Sequence, residues 1–104
     1  MKNIIITGTS RGIGLELVKF FANANYNVLA LSRNVNVVKN LSLENVSYFS
    51  FDLLDETAFS KVEDFVINNW NGKLDYLINN VIFQRFVSCY IYIPLHKLSE
   101  FARW

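Results

Sequence analysis

Three of the four glycines in the 104-residue chain fall within seven residues, at Gly8, Gly12 and Gly14. They follow directly on Ile4, Ile5 and Ile6 and lead into Ile13, Leu17, Phe20 and Phe21, which are spaced as one face of a helix. A strand that ends in a glycine-rich turn and opens into a helix makes an anion site. Free backbone N–H groups and the positive end of the helix dipole converge there, and a pyrophosphate fits. The glycine positions answer to separate physical demands: a tight turn, an unobstructed approach of phosphate to the backbone, and close packing of helix on strand. The spacing is Gly-x-x-x-Gly-x-Gly rather than the more general Gly-x-Gly-x-x-Gly. Taken by itself, such a turn also fits an ordinary tight connection that holds no ligand.

The elements around the turn alternate. Ile4 to Ile6 is β-branched without any apolar/polar alternation, as in a strand covered on both faces. After the first helix and an Asn-rich turn at 23–27, residues 28–31 read as a second buried strand that ends at Ser32 and Arg33. A short helix is expected over 35–41, and a third strand over 46–51 that ends at Asp52. Asp55 is the expected N-cap of the strongest helix, whose stripe is Ala58, Phe59, Val62, Phe65 and Val66. Asn71 and Gly72 close it, and a fourth strand over 74–78 ends at Asn79 and Asn80. Strands of about five residues alternating with longer helices indicate βαβ units and a parallel sheet.

The turn Thr7-Gly8-Thr9-Ser10-Arg11-Gly12-Ile13-Gly14 resembles that of the short-chain dehydrogenase/reductase family, and three later features fall in step with it. Ser32-Arg33 stands about twenty residues beyond the turn, where a dinucleotide enzyme discriminates at the adenosine ribose. Asp52-Leu53 follows the third strand, where the family has an Asp that contacts adenine. Asn79-Asn80 follows the fourth, where the family has Asn-Asn-Ala-Gly. The resemblance covers residues 1–80, about three quarters of the chain. It implies a partial Rossmann-like α/β fold, a doubly wound parallel sheet of about four strands in the order 3-2-1-4 with flanking helices. It also implies that Gly8, Ser10, Arg11, Gly12, Ile13 and Gly14 hold pyrophosphate and ribose, Asp52 and Leu53 the adenine, and Asn79 and Asn80 the nicotinamide-side ribose.

The choice of cofactor follows from charge. An acidic residue after the second strand would repel a ribose 2′-phosphate. This chain has Arg33 there and Arg11 within the turn, and guanidinium groups make bidentate, charge-assisted bonds to phosphate. NADP(H) is therefore expected over NAD(H). The bland reading of both arginines is a solvated surface charge.

The family's chemistry uses a Tyr-x-x-x-Lys pair, in which the lysine makes the tyrosine a usable acid or base near neutral pH. Four residues after the five tyrosines stand Ala30, Asp52, Asn80, Pro94 and His96, none of them lysine. No catalytic residue is carried over, and no Cys/His cluster offers a zinc site, since Cys89 is the only cysteine and His96 the only histidine.

At Val81-Ile82 the sequence departs from the family's Ala-Gly, and residues 81–104 read as a divergent apolar tail of unknown structure. Phe83, Phe86, Val87, Tyr90, Ile91 and Ile93 give neither a helical stripe nor a clear alternation, and Pro94 interrupts them. A match that ends abruptly at Asn80 suggests a truncated or frameshifted reading frame. The expected function is the NADP(H)-binding portion of an oxidoreductase acting on a carbonyl or alcohol. The alternatives are a non-catalytic nucleotide-binding protein and a non-functional product of a damaged gene. Composition narrows the partners. Residues 1–80 carry seven basic and eight acidic side chains and residues 81–104 three and one, a total of +1 that predicts no nucleic-acid binding. The apolar stretch 81–95 is broken by Gln84 and Arg85 and is too short for a bilayer span, so no membrane contact and a cytoplasmic location are expected. A complementing C-terminal half and a homo-oligomer stay open as partners.

Overall fold

The computed structural model describes residues 1–50, 52, 57–83 and 86–88. Strand β1 (Asn3–Thr7) leads through the glycine turn into α1 (Gly12–Asn23). Strand β2 (Asn27–Ser32), the short α2 (Asn36–Asn40), β3 (Val46–Ser50), α3 (Ala58–Trp70) and β4 (Tyr76–Ile78) follow. The four strands form one sheet in the order β3-β2-β1-β4, with every pair parallel. The alternation indicates the parallel sheet, and this order is that of the partial Rossmann-like arrangement which the family resemblance implies. The register sets Ile5 between Leu29 and Leu77, and Leu31 beside Phe49.

The three isoleucines of β1 are fully buried because both faces of the sheet are covered. Ile5 points into a core with Leu29, Leu31, Leu77 and the α3 stripe Ala58, Val62 and Val66. Ile4 and Ile6 point the other way, into a core with Val28, Ala30, Ile78, Val38 of α2 and Val18 and Ala22 of α1. The unbroken apolar run is thus a strand with helices on both sides. Each such side chain contributes about 1.5–3 kcal/mol by leaving water.

Element ends show where local chemistry stops each run. Helix α3 ends at Asn71 in the left-handed region (φ 53°) with Gly72 beside it (φ 75°), and the Gly72 N–H donates to Val66 O at 3.0 Å. That is a Schellman-type closure of the exposed carbonyls. The same helix begins after Thr57, and Asp55, the N-cap expected from the sequence, lies outside the described residues. Strand β4 is shorter than the sequence suggests. Leu74 is buried but precedes the paired residues, and Asp75 fastens to β1 partly through its side chain, Oδ2 accepting from the Asn3 N–H at 2.7 Å.

Past Asn80 the backbone forms β5 (Val81–Phe83) and β6 (Phe86–Ser88), an antiparallel pair in a separate two-stranded sheet. The register is Val81↔Ser88, Ile82↔Val87 and Phe83↔Phe86. Strands of three residues are shorter than any window in which a period-2 pattern can be read, which is why this hairpin gives no signal in the sequence.

Candidate functional site

The glycine turn sits at the carboxyl end of β1, between the ends of β2 and β4. Gly8 takes a left-handed φ of 67°, and a Cβ built there would run into the backbone carbonyl of Asn80. Only a residue without a side chain can make this turn against the neighbouring strand. Gly14, already in α1, is tighter still: a Cβ there would collide with the Gly8 carbonyl oxygen and stand 2.9 Å from Asn80 Nδ2. The turn, the first helical turn and the residues after β4 therefore close on one another at Gly8, Gly14 and Asn80.

Gly12 differs. It also has a positive φ (62°), but nothing lies within 4 Å of where its Cβ would be. Its face is open. Arg11, in extended conformation at the N-cap, and Gly12 and Ile13 at the start of α1 are exposed, and Ser10 is half-buried. The first N–H groups of a helix have no intrahelical acceptor, and the first turn of α1 carries no acidic side chain. A positive helix end facing an unobstructed glycine is the physical requirement for holding a pyrophosphate. The residues present fit that group.

Side chains lock the turn in place. Thr9 is fully buried and its hydroxyl donates to Leu31 O of β2 at 3.4 Å. The Thr7 hydroxyl donates to Asn79 Oδ1 at 2.9 Å, and Asn80 Nδ2 donates to Gly8 O at 3.4 Å. Asn79 and Asn80 are both buried, at 2% and 6% exposure, so their amides tie β4 to the end of β1. Thr7 and Thr9 are supports of the turn that sequence reasoning passes over. The only signal for them is their place inside the turn.

Two of the residues expected on the adenosine side, Arg33 and Asp52, follow the next strands. Arg33 follows the last paired residue of β2 and is exposed, and among the described residues no carboxylate forms an ion pair with it. Asp52 is exposed two residues past β3, and Leu53 lies outside the described residues. The structure thus gathers Gly8, Gly12, Gly14 and Asn80 directly. Arg33 and Asp52 stand on the same edge of the sheet, past the carboxyl ends of β2 and β3. Ligands of open α/β sheets bind in the crevice at this edge.

One further feature adjoins this site and another lies away from it. A shallow depression of about 640 Å³ starts at Gly12 and runs along the solvent face of α1 past Ile13, Glu16, Leu17 and Phe20. At the amino ends of the strands, Lys2 Nζ donates to the Tyr76 hydroxyl at 3.2 Å, and that bond raises the lysine's pKa above its ordinary value. Among the described residues there is no group of three or more side chains able to hold a metal ion, and no helix long and apolar enough to cross a membrane.

Comparison with known proteins agrees with this geometry. The family model for short chain dehydrogenases matches residues 2–90. The NADPH-dependent 1-acyldihydroxyacetone phosphate reductase of Schizosaccharomyces pombe is 39% identical over 80 residues, covering 76% of this chain and 27% of that protein. Salutaridine reductase of Papaver bracteatum is 33% identical over 88 residues, covering 77% and 28%. Among solved structures, salutaridine reductase of Papaver somniferum superposes with a TM-score of 0.67 at 31% identity, over 78% of this chain and 30% of that one. ElxO with NADP bound superposes with a TM-score of 0.64 at 32% identity, over 76% and 34%. The chain belongs to the short-chain dehydrogenase family. It spans about a third or less of the length of these relatives. The family match continues to residue 90, ten residues past the point where motif reading stops at Asn80.

Proposed function

We propose that this chain is the NADP(H)-binding portion of an oxidoreductase acting on a carbonyl or alcohol. The observation that carries the reading is the glycine turn: closed against Asn80 at Gly8 and Gly14, open at Gly12, and set at the positive end of α1. Gly8, Ser10, Arg11, Gly12, Ile13 and Gly14 hold the pyrophosphate and adjoining ribose through backbone N–H groups and the helix end. Asp52 and Leu53 flank the adenine, and Asn79 and Asn80 close the nicotinamide side. When bound, the nicotinamide supplies the hydride that such a reaction transfers.

Preference for the phosphorylated cofactor rests on Arg33. The guanidinium stands exposed at the end of β2 with no protein carboxylate paired to it among the described residues, and an acidic residue is absent from the position that would repel a 2′-phosphate. The relatives support this: one is named as NADPH-dependent and one is solved with NADP bound. None of the five tyrosines is followed four residues later by lysine, so the chain's own residues bind and orient the cofactor, and the proton-transfer pair is not among them.

Isothermal titration of the 104-residue chain with NADPH and NADH, beside Arg33→Asp, tests the reading. Saturable NADPH binding is expected, weakened at least tenfold by the substitution, with NADH affinity unchanged. A bidentate charge-assisted contact of about 1.5–3 kcal/mol underlies that figure. A wild-type chain that binds neither nucleotide, or equal loss for both, would overturn it.

A further inference from the structure

We propose that Ser50 is a positioning residue for recognition of the ribose 2′-phosphate, acting through Arg33; the inference rests on the cofactor reading above. Ser32 and Ser50 are the last paired residues of β2 and β3. Beyond them the strand ladder stops, and the residue that carries the guanidinium begins. The Ser50 hydroxyl donates to the backbone carbonyl of Arg33 at 3.1 Å, extending the fastening of β2 to β3 one residue past the ladder through a side chain.

The next residues are held in the same manner. Buried Ser32 donates its hydroxyl to Asn34 O at 2.8 Å, and the Asn36 N–H donates to Asn34 Oδ1 at 3.0 Å. The segment from Ser32 to Asn36 is therefore pinned on both sides of Arg33 by its own short polar side chains. The 33–34 peptide carbonyl, by contrast, is pinned from outside, by β3. That peptide plane sets the direction in which Arg33 leaves the backbone. Rotating it would carry the end of a long side chain several ångströms from a bound phosphate. A planar guanidinium makes its paired bonds to phosphate only in a narrow range of orientations. Fixing the peptide before binding removes that ordering from the binding step.

Ser50 is exposed and on β3, the edge strand of the four-stranded sheet. Losing the hydroxyl is thus expected to change cofactor discrimination rather than stability.

The experiment is a double-mutant cycle by isothermal titration on the full chain, with NADPH and NADH as probes. It compares wild type, Ser50→Ala, Ser50→Thr, Arg33→Ala and the Ser50→Ala/Arg33→Ala pair. Ser50→Ala should weaken NADPH about three- to tenfold, in the range of one neutral hydrogen bond, and leave NADH within about twofold. Ser50→Thr, which keeps the hydroxyl, should restore the preference. In the Arg33→Ala background the Ser50 change should have no further effect. Equal weakening of both nucleotides, or additive losses in the double variant, would show that Ser50 does not work through Arg33. NADPH preference lost in Arg33→Ala yet intact in Ser50→Ala would overturn this inference and leave the cofactor reading standing. A wild-type chain without NADPH preference would overturn both.

Discussion

Gly12 and Gly14 are two residues apart and do opposite things. At Gly14 the added methyl of alanine meets the Gly8 carbonyl, a backbone atom that can move only by opening the turn. Gly14→Ala should therefore destabilise the fold by about 1–3 kcal/mol, as overpacking does, and chemical denaturation should show it. At Gly12 the methyl enters open space and only the left-handed φ resists it, at about 1–2 kcal/mol. Gly12→Ala should retain the fold yet lose NADPH affinity more than tenfold, because the methyl stands where phosphate approaches. Titration and denaturation of both variants separate the two roles. The sequence makes all three glycines of the turn legible as one motif, since type and spacing are enough. It does not say which glycine faces the protein and which faces the ligand. The same holds for Asn79 and Asn80, whose place after β4 is legible, whereas the bonds from Thr7 Oγ1 and to Gly8 O depend on rotamers that spacing does not encode.

Elements end where a particular backbone conformation is affordable. Asn71 at the end of α3 adopts φ 53°, which asparagine tolerates and alanine resists. Asn71→Ala should lower stability by about 1 kcal/mol, and Asn71→Gly should leave it unchanged or slightly higher, as thermal unfolding of the two variants would show. The stop at Asn71 and Gly72 is plain from residue type. So are β1, β2 and the α3 stripe, because residues 4–6 and 28–31 are unbroken apolar runs, the stripe repeats over five positions, and both faces of the sheet need covering. Legibility falls where fewer residues carry the pattern. Strand β4 pairs over only Tyr76–Ile78 because Asp75 fastens to Asn3 in part by its carboxylate, a tertiary contact without local sign. The hairpin of β5 and β6 is shorter than the repeat that would reveal it.

The molecule as a whole buries its sheet but leaves large apolar side chains outside. Among the described residues, Ile13 and Phe20 on α1 are 63% and 64% exposed and Ile67 on α3 55%, so both helical layers present large apolar side chains to solvent. Apolar surface of this kind favours association. The Phe20→Lys/Ile67→Lys pair should reduce self-association, read by light scattering against concentration, with the unfolding temperature and NADPH affinity unchanged. Reversal of that pattern, with stability lost and association untouched, would mean these side chains pack in solution. Fold class was legible at this scale because alternating strands and helices admit few arrangements, and the strand order through the family resemblance. How much apolar surface stays uncovered was not, since it depends on which face of each helix meets the sheet.

The bond from Asn80 to Gly8 spans 72 positions, and its partners are the first and last pieces of the site. On a ribosome the glycine turn emerges early and can make its tight bend, but its wall is missing until the end of β4 has left the exit tunnel. Contacts of such sequence separation form late, after the long intervening loop has been closed. A nascent chain that has presented every glycine of the turn is consequently still without a finished cradle. On the proposed reading, the cofactor is thus a ligand of the finished cradle rather than a template for its assembly.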